Sequence, residues 1–360
     1  MHGVNGRCGH MGLFGDGVRF GGYRDVCFSG TRQHMGRRGN YFAGGEGMTI
    51  LWCGGEDIDF IPVGTVSLNY YDSTYTRCNV LSGYSPVFTS TPPDGLGAHI
   101  YVVRFLATEN NVFLLGLVDI NGKQISAFTS NGSGLRSSIR LYNGSSWVTL
   151  ADSSVDDLPS NGSMFLDLYI ESVGAAAKII LYKNGASTLE YSGDLSSYGI
   201  SNINKVGIGG NTYMLFSGVI VADEDTRLMR LKTLAPSAAG DTNDWTGAYT
   251  DVDEATLSDS DKIYSATDDA DFQCNLTGMP TGTWSVKAVK VAARCVDGSG
   301  STGIQLGVKS GGTVASGDTQ TASGYWQTKE RLMQVNPVTG IAFTTAEIEA
   351  LQINLRAKAL

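Results

Sequence analysis

Four histidines stand in the chain, and three of them, His2, His10 and His34, fall in a glycine-rich N-terminal stretch. A Ser-His-Asp or Cys-His relay would therefore have to be built on His99. His99 opens the alternating run 99–106 and reads as an ordinary strand-end residue. The other common hydrolytic device is a pair of carboxylates flanking the bond to be cut. In Glu56-Asp57-Ile58-Asp59 the two outer acids fall on opposite faces of an extended chain, and no second glutamate follows. That run reads as a turn after Gly54-Gly55, and no catalytic residue is assigned.

Binding chemistry has more candidates. Tyr142, Trp147, Tyr213 and Trp245 are aromatics at strand ends or in loops, where a ring face can stack on a ligand. Trp245, beside a glycine in a linker-like stretch, is also expected to pack two domains together. Trp284 and Trp326 lie within strand-like runs and read as packing residues. Acidic groups that could hold Ca2+ are Asp119 with Asn121, the run Asp223-Glu224-Asp225, and Asp251, Asp253, Asp259 and Asp261. None has the EF-hand order with its glycine and closing glutamate, so they read as solvated loop carboxylates. The six cysteines, Cys8, Cys27, Cys53, Cys78, Cys274 and Cys295, include no CxxC pair and no histidine at ligand spacing, which argues against structural zinc. They read as reduced thiols, with Cys274 and Cys295 the pair to expect should a bond form. No cofactor is assigned. The glycines of the N-terminal stretch have no strand before them and no helix after them, so they are not a phosphate loop.

The elements that would hold these residues are strands. Of 360 residues only 17% are charged while 47 are glycine, a balance suited to short strands joined by tight turns. The formal net charge of −9 repels phosphate backbones and anionic headgroups, so nucleic acid is not an expected partner, and with no stretch of about 18 apolar residues membrane insertion is not expected. No basic region followed by an apolar core marks a secretory leader. Residues 1–47 carry Arg7, Arg19, Arg24, Arg32, Arg37 and Arg38 against Asp16, Asp25 and Glu46, without alternation of apolar and polar positions. They are expected to be a flexible extension, either a basic arm lying along a partner or a stretch ahead of a natural start at Met48.

From residue 48 to 234 roughly ten short alternating runs follow one another, as in a sandwich or jelly roll. Three hairpin tips are marked by Asn121-Gly122, Asn143-Gly144 and Asn184-Gly185. Residues 226–234 read as a short helix capped by Asp225, and 235–244 as a linker. In the second domain the run 286–292 alternates, with valines on one face and Lys287 and Lys290 on or near the other, as a half-solvated strand requires. Thr344 with Glu347 forms a capping box for a helix over 345–352, and an apolar strand or tail ends the chain. The expected fold is all-β: two tandem antiparallel β-sandwich domains, 48–234 and 235–360, with a short C-terminal helix.

Two resemblances refine this. The segment 141–150 and the closing pair Val206-Gly-Ile-Gly-Gly210 and Phe216-Ser-Gly-Val-Ile220 resemble the concanavalin A-like (laminin-G-like) jelly roll. That implies this fold for the first domain, a smaller β-sandwich for the second, and rim Ca2+ as an alternative reading of the acidic loops. The opening 50–59 and the terminal helix region 336–352 resemble virion structural proteins of tailed bacteriophages. That resemblance implies a tail-associated or capsid-decorating component located in the virion and assembled in the host cytoplasm. Its partners would be other virion proteins, in a homo-oligomer expected to be a trimer. The alternative is a glycan-binding adhesin that recognises cell-surface polysaccharide.

Overall fold

Each Asn-Gly pair sits at a hairpin tip. Gly122, Gly144 and Gly185 have φ of 79°, 100° and 82°, and Asn184 joins its glycine in the left-handed region at 50°. The strands they connect pair antiparallel: Phe113–Asp119 with Gln124–Thr129, Ser137–Tyr142 with Trp147–Asp152, and Ala177–Lys183 with Ala186–Gly193. The structure, a computed structural model, describes residues 18–30, 48–55, 59–62, 82–104, 109–209, 214–253, 260–297 and 302–359.

Two sheets form the first sandwich. One has seven strands in the order Ile61–Pro62, Gly83–Tyr84, Ile203–Ile208, Phe113–Asp119, Gln124–Thr129, Ser137–Tyr142, Trp147–Asp152. The other has six, in the order Ala186–Gly193, Ala177–Lys183, Gly162–Ser172, Leu96–Arg104, Met214–Ala222, Ile50–Gly54. Their facing residues, among them Leu115, Leu117, Ile125, Ile139, Ile100, Leu168 and Phe216, make one apolar core. The second sandwich packs the strands Pro236–Asn243, Asp271–Leu276, Gln352–Ala359, Thr302–Ser310 and Thr313–Thr321 against a sheet centred on the 14-residue strand Trp284–Asp297. A third, smaller core lies between the sandwiches, where Ile50, Cys53 and Ile220 meet Met229, Leu231 and Ala288. The chain is thus all-β with two tandem sandwiches, and among the described residues no helix is long enough to cross a membrane.

Several expectations need correction. Residues 226–234 are not a helix: Met229–Leu234 is a strand in which Met229 and Leu231 are buried while Arg230 and Lys232 are less so. Its period is two, which a short apolar run does not reveal until its partner is known. The expected linker contains the edge strand Pro236–Asn243, and a side chain at Gly240 would collide with the Gln273 backbone. Within the expected flexible extension, Val18–Gly30 is a strand lying between Met229–Leu234 and Trp284–Asp297, antiparallel to both. It satisfies backbone groups that those strands would otherwise present as open edges; residues 1–17 and 31–47 lie outside the described residues. Lys290 does not face water: it is 1% exposed, because the Trp52 and Asp59 region of the first sandwich covers that face.

The terminal helix is shorter than expected, Thr345–Glu349, but its cap is as read. Thr344 Oγ1 accepts from Glu347 N at 3.1 Å and Glu347 Oε2 accepts from Thr344 N at 2.7 Å. The strand Gln352–Ala359 follows and is pinned to Asp271–Leu276 by a paired guanidinium. Arg356 donates to both oxygens of Asp271, at 2.8 and 2.7 Å, and Asn354 adds a third bond at 2.9 Å. Burial opposes ionisation of Asp271, but these donors outweigh it and hold its carboxyl below the usual range. Its stabilisation is therefore present above the ordinary carboxylate range and lost as pH falls through its lowered value. Asp271→Asn is expected to destabilise the chain by about 1 kcal/mol at neutral pH, the pair being partly screened by solvent. In chemical denaturation at successively lower pH the gap between variant and parent should close; a constant gap would contradict the assignment.

Candidate functional site: an aromatic groove on the seven-stranded sheet

In the strand Gln124–Thr129 alternate residues face opposite ways, so Ile125 and Ala127 enter the core while Gln124, Ser126 and Phe128 line the outer face. Register then assembles a row from five strands. Lys205 lies opposite Val118, Val118 opposite Gln124, Gln124 opposite Tyr142, and Tyr142 opposite Trp147. A second row beside it runs Gly207, Gly116, Ser126, Arg140, Thr149. The first row and neighbours such as Tyr84 and Ser85 line a groove of about 620 Å3.

The two glycines are required by close approach. A Cβ at Gly116 would lie 2.2 Å from Gln124 Nε2 and 2.4 Å from Ser126 Oγ, and one at Gly207 would lie 2.6 Å from the Tyr84 ring. At one end of the groove the rings pack against one another. Trp147 is 5.2 Å from Tyr142 and meets Phe128 edge-on at 4.8 Å, while the Arg140 guanidinium covers Phe128 at 4.7 Å. Burial pushes the Arg140 pKa down, with Asp152 opposing, and its protons go to Ser138 Oγ, Asn111 Oδ1 and Thr129 O. Trp147 nonetheless stays 42% exposed, an uncommon state for an indole on a structured sheet.

Two buried groups on this face of the sheet are unsatisfied. Gln124 is 6% exposed and Ser126 0%, yet Gln124 Nε2 and Ser126 Oγ have no hydrogen-bond partner in the structure. A buried polar group without a partner costs about 1–3 kcal/mol, and of these two residues Gln124 lines the groove. The lining contains no Asp, Glu, His or Cys, so it offers neither a carboxylate pair nor a nucleophile with its base. Shape and polarity suit holding a ligand.

Of the residues singled out from sequence, Tyr142 and Trp147 are brought together here. Tyr213 lies outside the described residues. Trp245 is not a rim aromatic and does not join the domains: it is 5% exposed inside the second core, with Nε1 donating to Ala270 O at 3.0 Å. Gln124, Ser126 and Lys205 carried no sequence signal: the first two are polar residues on the outer face of a meander of consecutive strands, and Lys205 joins the row through a strand distant in sequence. His99 is not a strand end either. It lies within Leu96–Arg104, 1% exposed, with Nδ1 2.6 Å from Asp167 Oδ1, which also accepts from Thr226 Oγ1 at 3.0 Å. Its neighbours Ala98 and Ile100 point into the core, so this cluster sits on the outer side of the six-stranded sheet, away from the groove.

Among the acidic loop residues, Asp119, Asp223 and Asp225 have structural duties. Asp119 is 2% exposed and accepts from the backbone N–H groups of Asn121, Lys123 and Ser201 at 2.8 to 2.9 Å. Asp223 accepts from Thr49 N at 2.6 Å and Asp225 pairs with Arg227. Cys274 and Cys295 are separate buried thiols, and burial pushes the Cys295 thiol up to about 12.

No protein-family model matches the chain, and no curated protein matches its sequence. Solved structures similar to it include the CBM2 module of the evolved Dit protein of Lactobacillus casei BL23 phage J-1, with TM-score 0.28 and 12% identity over 56% of this chain and 96% of that one. The binding domain of botulinum neurotoxin serotype D/C VPI 5993 superposes with TM-score 0.32 and 8% identity, over 93% of this chain and 98% of that one. Sheep galectin-11 superposes with TM-score 0.27 and 9% identity, over 37% of this chain and 94% of that one.

Proposed function

We propose that the chain is a non-catalytic binding protein whose first sandwich holds a carbohydrate in the groove. The observation that carries this is that a half-exposed indole, Trp147, and the side chain of Gln124, whose buried amide nitrogen has no partner, line one groove. A sugar ring has an apolar C–H face for the indole and hydroxyls for the polar floor, whereas a purely apolar ligand would leave the floor unsatisfied. The setting we propose is the surface of a tailed-phage particle, with virion proteins as partners and cell-surface polysaccharide as ligand. Support for that setting is the sequence resemblance over 50–59 and 336–352. Several copies on one particle, a trimer among the forms proposed, would raise a weak single-site affinity by avidity.

Binding of the full chain to an array of bacterial and plant oligosaccharides tests the reading. Trp147→Ala is expected to lower affinity for the best ligand by at least tenfold, or about 1.4 kcal/mol, as for other central aromatic anchors. Its melting temperature should barely move, since the ring is already half in water. Gly116→Ala should weaken binding by displacing the Gln124 amide, which a Cβ there would meet at 2.2 Å. Failure of the parent protein to bind any oligosaccharide, or an unchanged affinity in Trp147→Ala, would sink the proposal.

A further inference from the structure

Lys290, Asp59 and Glu330 form a closed cluster where the two sandwiches meet. Lys290 projects from Trp284–Asp297, and Glu330 is its diagonal neighbour on Gln327–Met333, since Lys290 pairs with Leu332 and Ala292 with Glu330. Asp59 comes from the first sandwich, 231 residues away in sequence. Lys290 Nζ lies 2.5 Å from Asp59 Oδ1 and 3.6 Å from Glu330 Oε1, with side-chain exposures of 1%, 2% and 18% for the three residues. Hydrogen-bonded at that distance, the amine sits roughly 3 Å from the carboxyl carbon of Asp59, which is near-attack range.

The surroundings are those of a reactive site. Gly55 N–H donates to the other Asp59 oxygen, Oδ2, at 2.9 Å, where charge would gather in a tetrahedral adduct. Trp52 Nε1 donates to Glu330 Oε2 at 3.2 Å and fixes that carboxyl, leaving Oε1, which accepts no hydrogen bond, turned toward Nζ. The Trp52 ring also flanks the amine at 5.1 Å. Gly54 makes the approach feasible, because a Cβ there would lie 2.8 Å from Asp59 Cβ and 2.4 Å from the Trp52 ring. Burial raises the Glu330 pKa, with Lys290 opposing and Asp59 reinforcing, so this carboxyl can both take and return a proton.

We propose that Lys290 and Asp59 condense into an intramolecular isopeptide bond, with Glu330 as the proton carrier. The ammonium gives a proton to Glu330, which passes it to the Asp59 carboxylate, and the deprotonated amine attacks Cγ of the resulting carboxylic acid. Glu330 then takes the second proton, shed by the nitrogen, and delivers it to the departing hydroxyl. One C–N bond forms, one C–O bond breaks, one water leaves, and Glu330 ends as it began. Nothing is oxidised and no co-reactant is needed. The product is a covalent clamp between the two sandwiches, buried where water cannot readily reverse it.

Intact mass of the purified full chain under denaturing conditions tests this, with Lys290→Arg and Glu330→Gln prepared in parallel. The parent is expected to be lighter than its sequence mass by one water, and both variants to have their full masses. Asp59→Asn keeps an electrophilic carbonyl and should lose ammonia instead. Because a variant could keep its full mass by failing to fold, peptide mapping of the folded parent is the deciding measurement. A tryptic species joining the Asp59 and Lys290 peptides supports the bond. Full mass in the parent, a link mapped to other residues, or loss of water that persists in Lys290→Arg overturns it.

Discussion

Measured against the parent before its amine and carboxylate have condensed, Lys290→Ala is expected to destabilise the chain by about 3–5 kcal/mol, because it leaves Asp59 and Glu330 facing each other at a buried site with no cation between them. The loss arises more from the stranded acids than from the attraction removed. Glu330 is already pushed up by burial, and Lys290 is the group that opposes the rise, so the variant should carry it protonated to higher pH. A raised carboxyl favours the folded state below the ordinary carboxylate range and loses that contribution as pH climbs through its folded value. Stability of Lys290→Ala should therefore fall more steeply than the parent's between mildly acidic and neutral pH. Equilibrium denaturation in urea across that range measures both effects. A loss below about 1 kcal/mol would mean that water reaches the cluster. Replacing all three residues together by Met and Leu should recover most of the loss, since an apolar set leaves no charge stranded.

Phe216→Ala should produce a loss of similar size by a different mechanism. Phe216 is fully buried in the first core, on the strand Met214–Ala222 between Leu96–Arg104 and Ile50–Gly54. Truncating a buried phenylalanine removes its transfer free energy and leaves a cavity that neighbouring strands cannot fill, for about 3–5 kcal/mol in total. Groove binding would weaken only through the smaller folded fraction. Ligand added in excess should then raise the variant's melting temperature as it raises the parent's. A variant that keeps its stability but loses its ligand would instead place Phe216 in the binding machinery.

These two positions differ in how visible they are beforehand. Phe216 sits in an apolar run closed by a glycine, and burial follows from the run itself. Lys290 sits in a run that alternates as a half-solvated strand should, and nothing in its neighbours announces that Trp52 and Asp59 cover it. The groove divides the same way. Tyr142 and Trp147 flank a hairpin tip and could be paired from the turn alone. Gln124 joined them through its register on the adjacent strand, and Lys205 through a ladder whose partner lies tens of residues away.

By itself the sequence determined what is local: an all-β chain, turns at the Asn-Gly pairs, the Thr344 to Glu347 cap, and two aromatics at one strand end. Turn and cap chemistry depend on residues a few positions apart, so composition and spacing suffice to read them. Only the tertiary structure decided which face of each strand is covered, which residues share a row, that Trp245 is core, and that a lysine and two acids from two sandwiches share one closed site. Those outcomes depend on register and on layers packed from distant segments, where a shift of one residue turns every side chain to the opposite face.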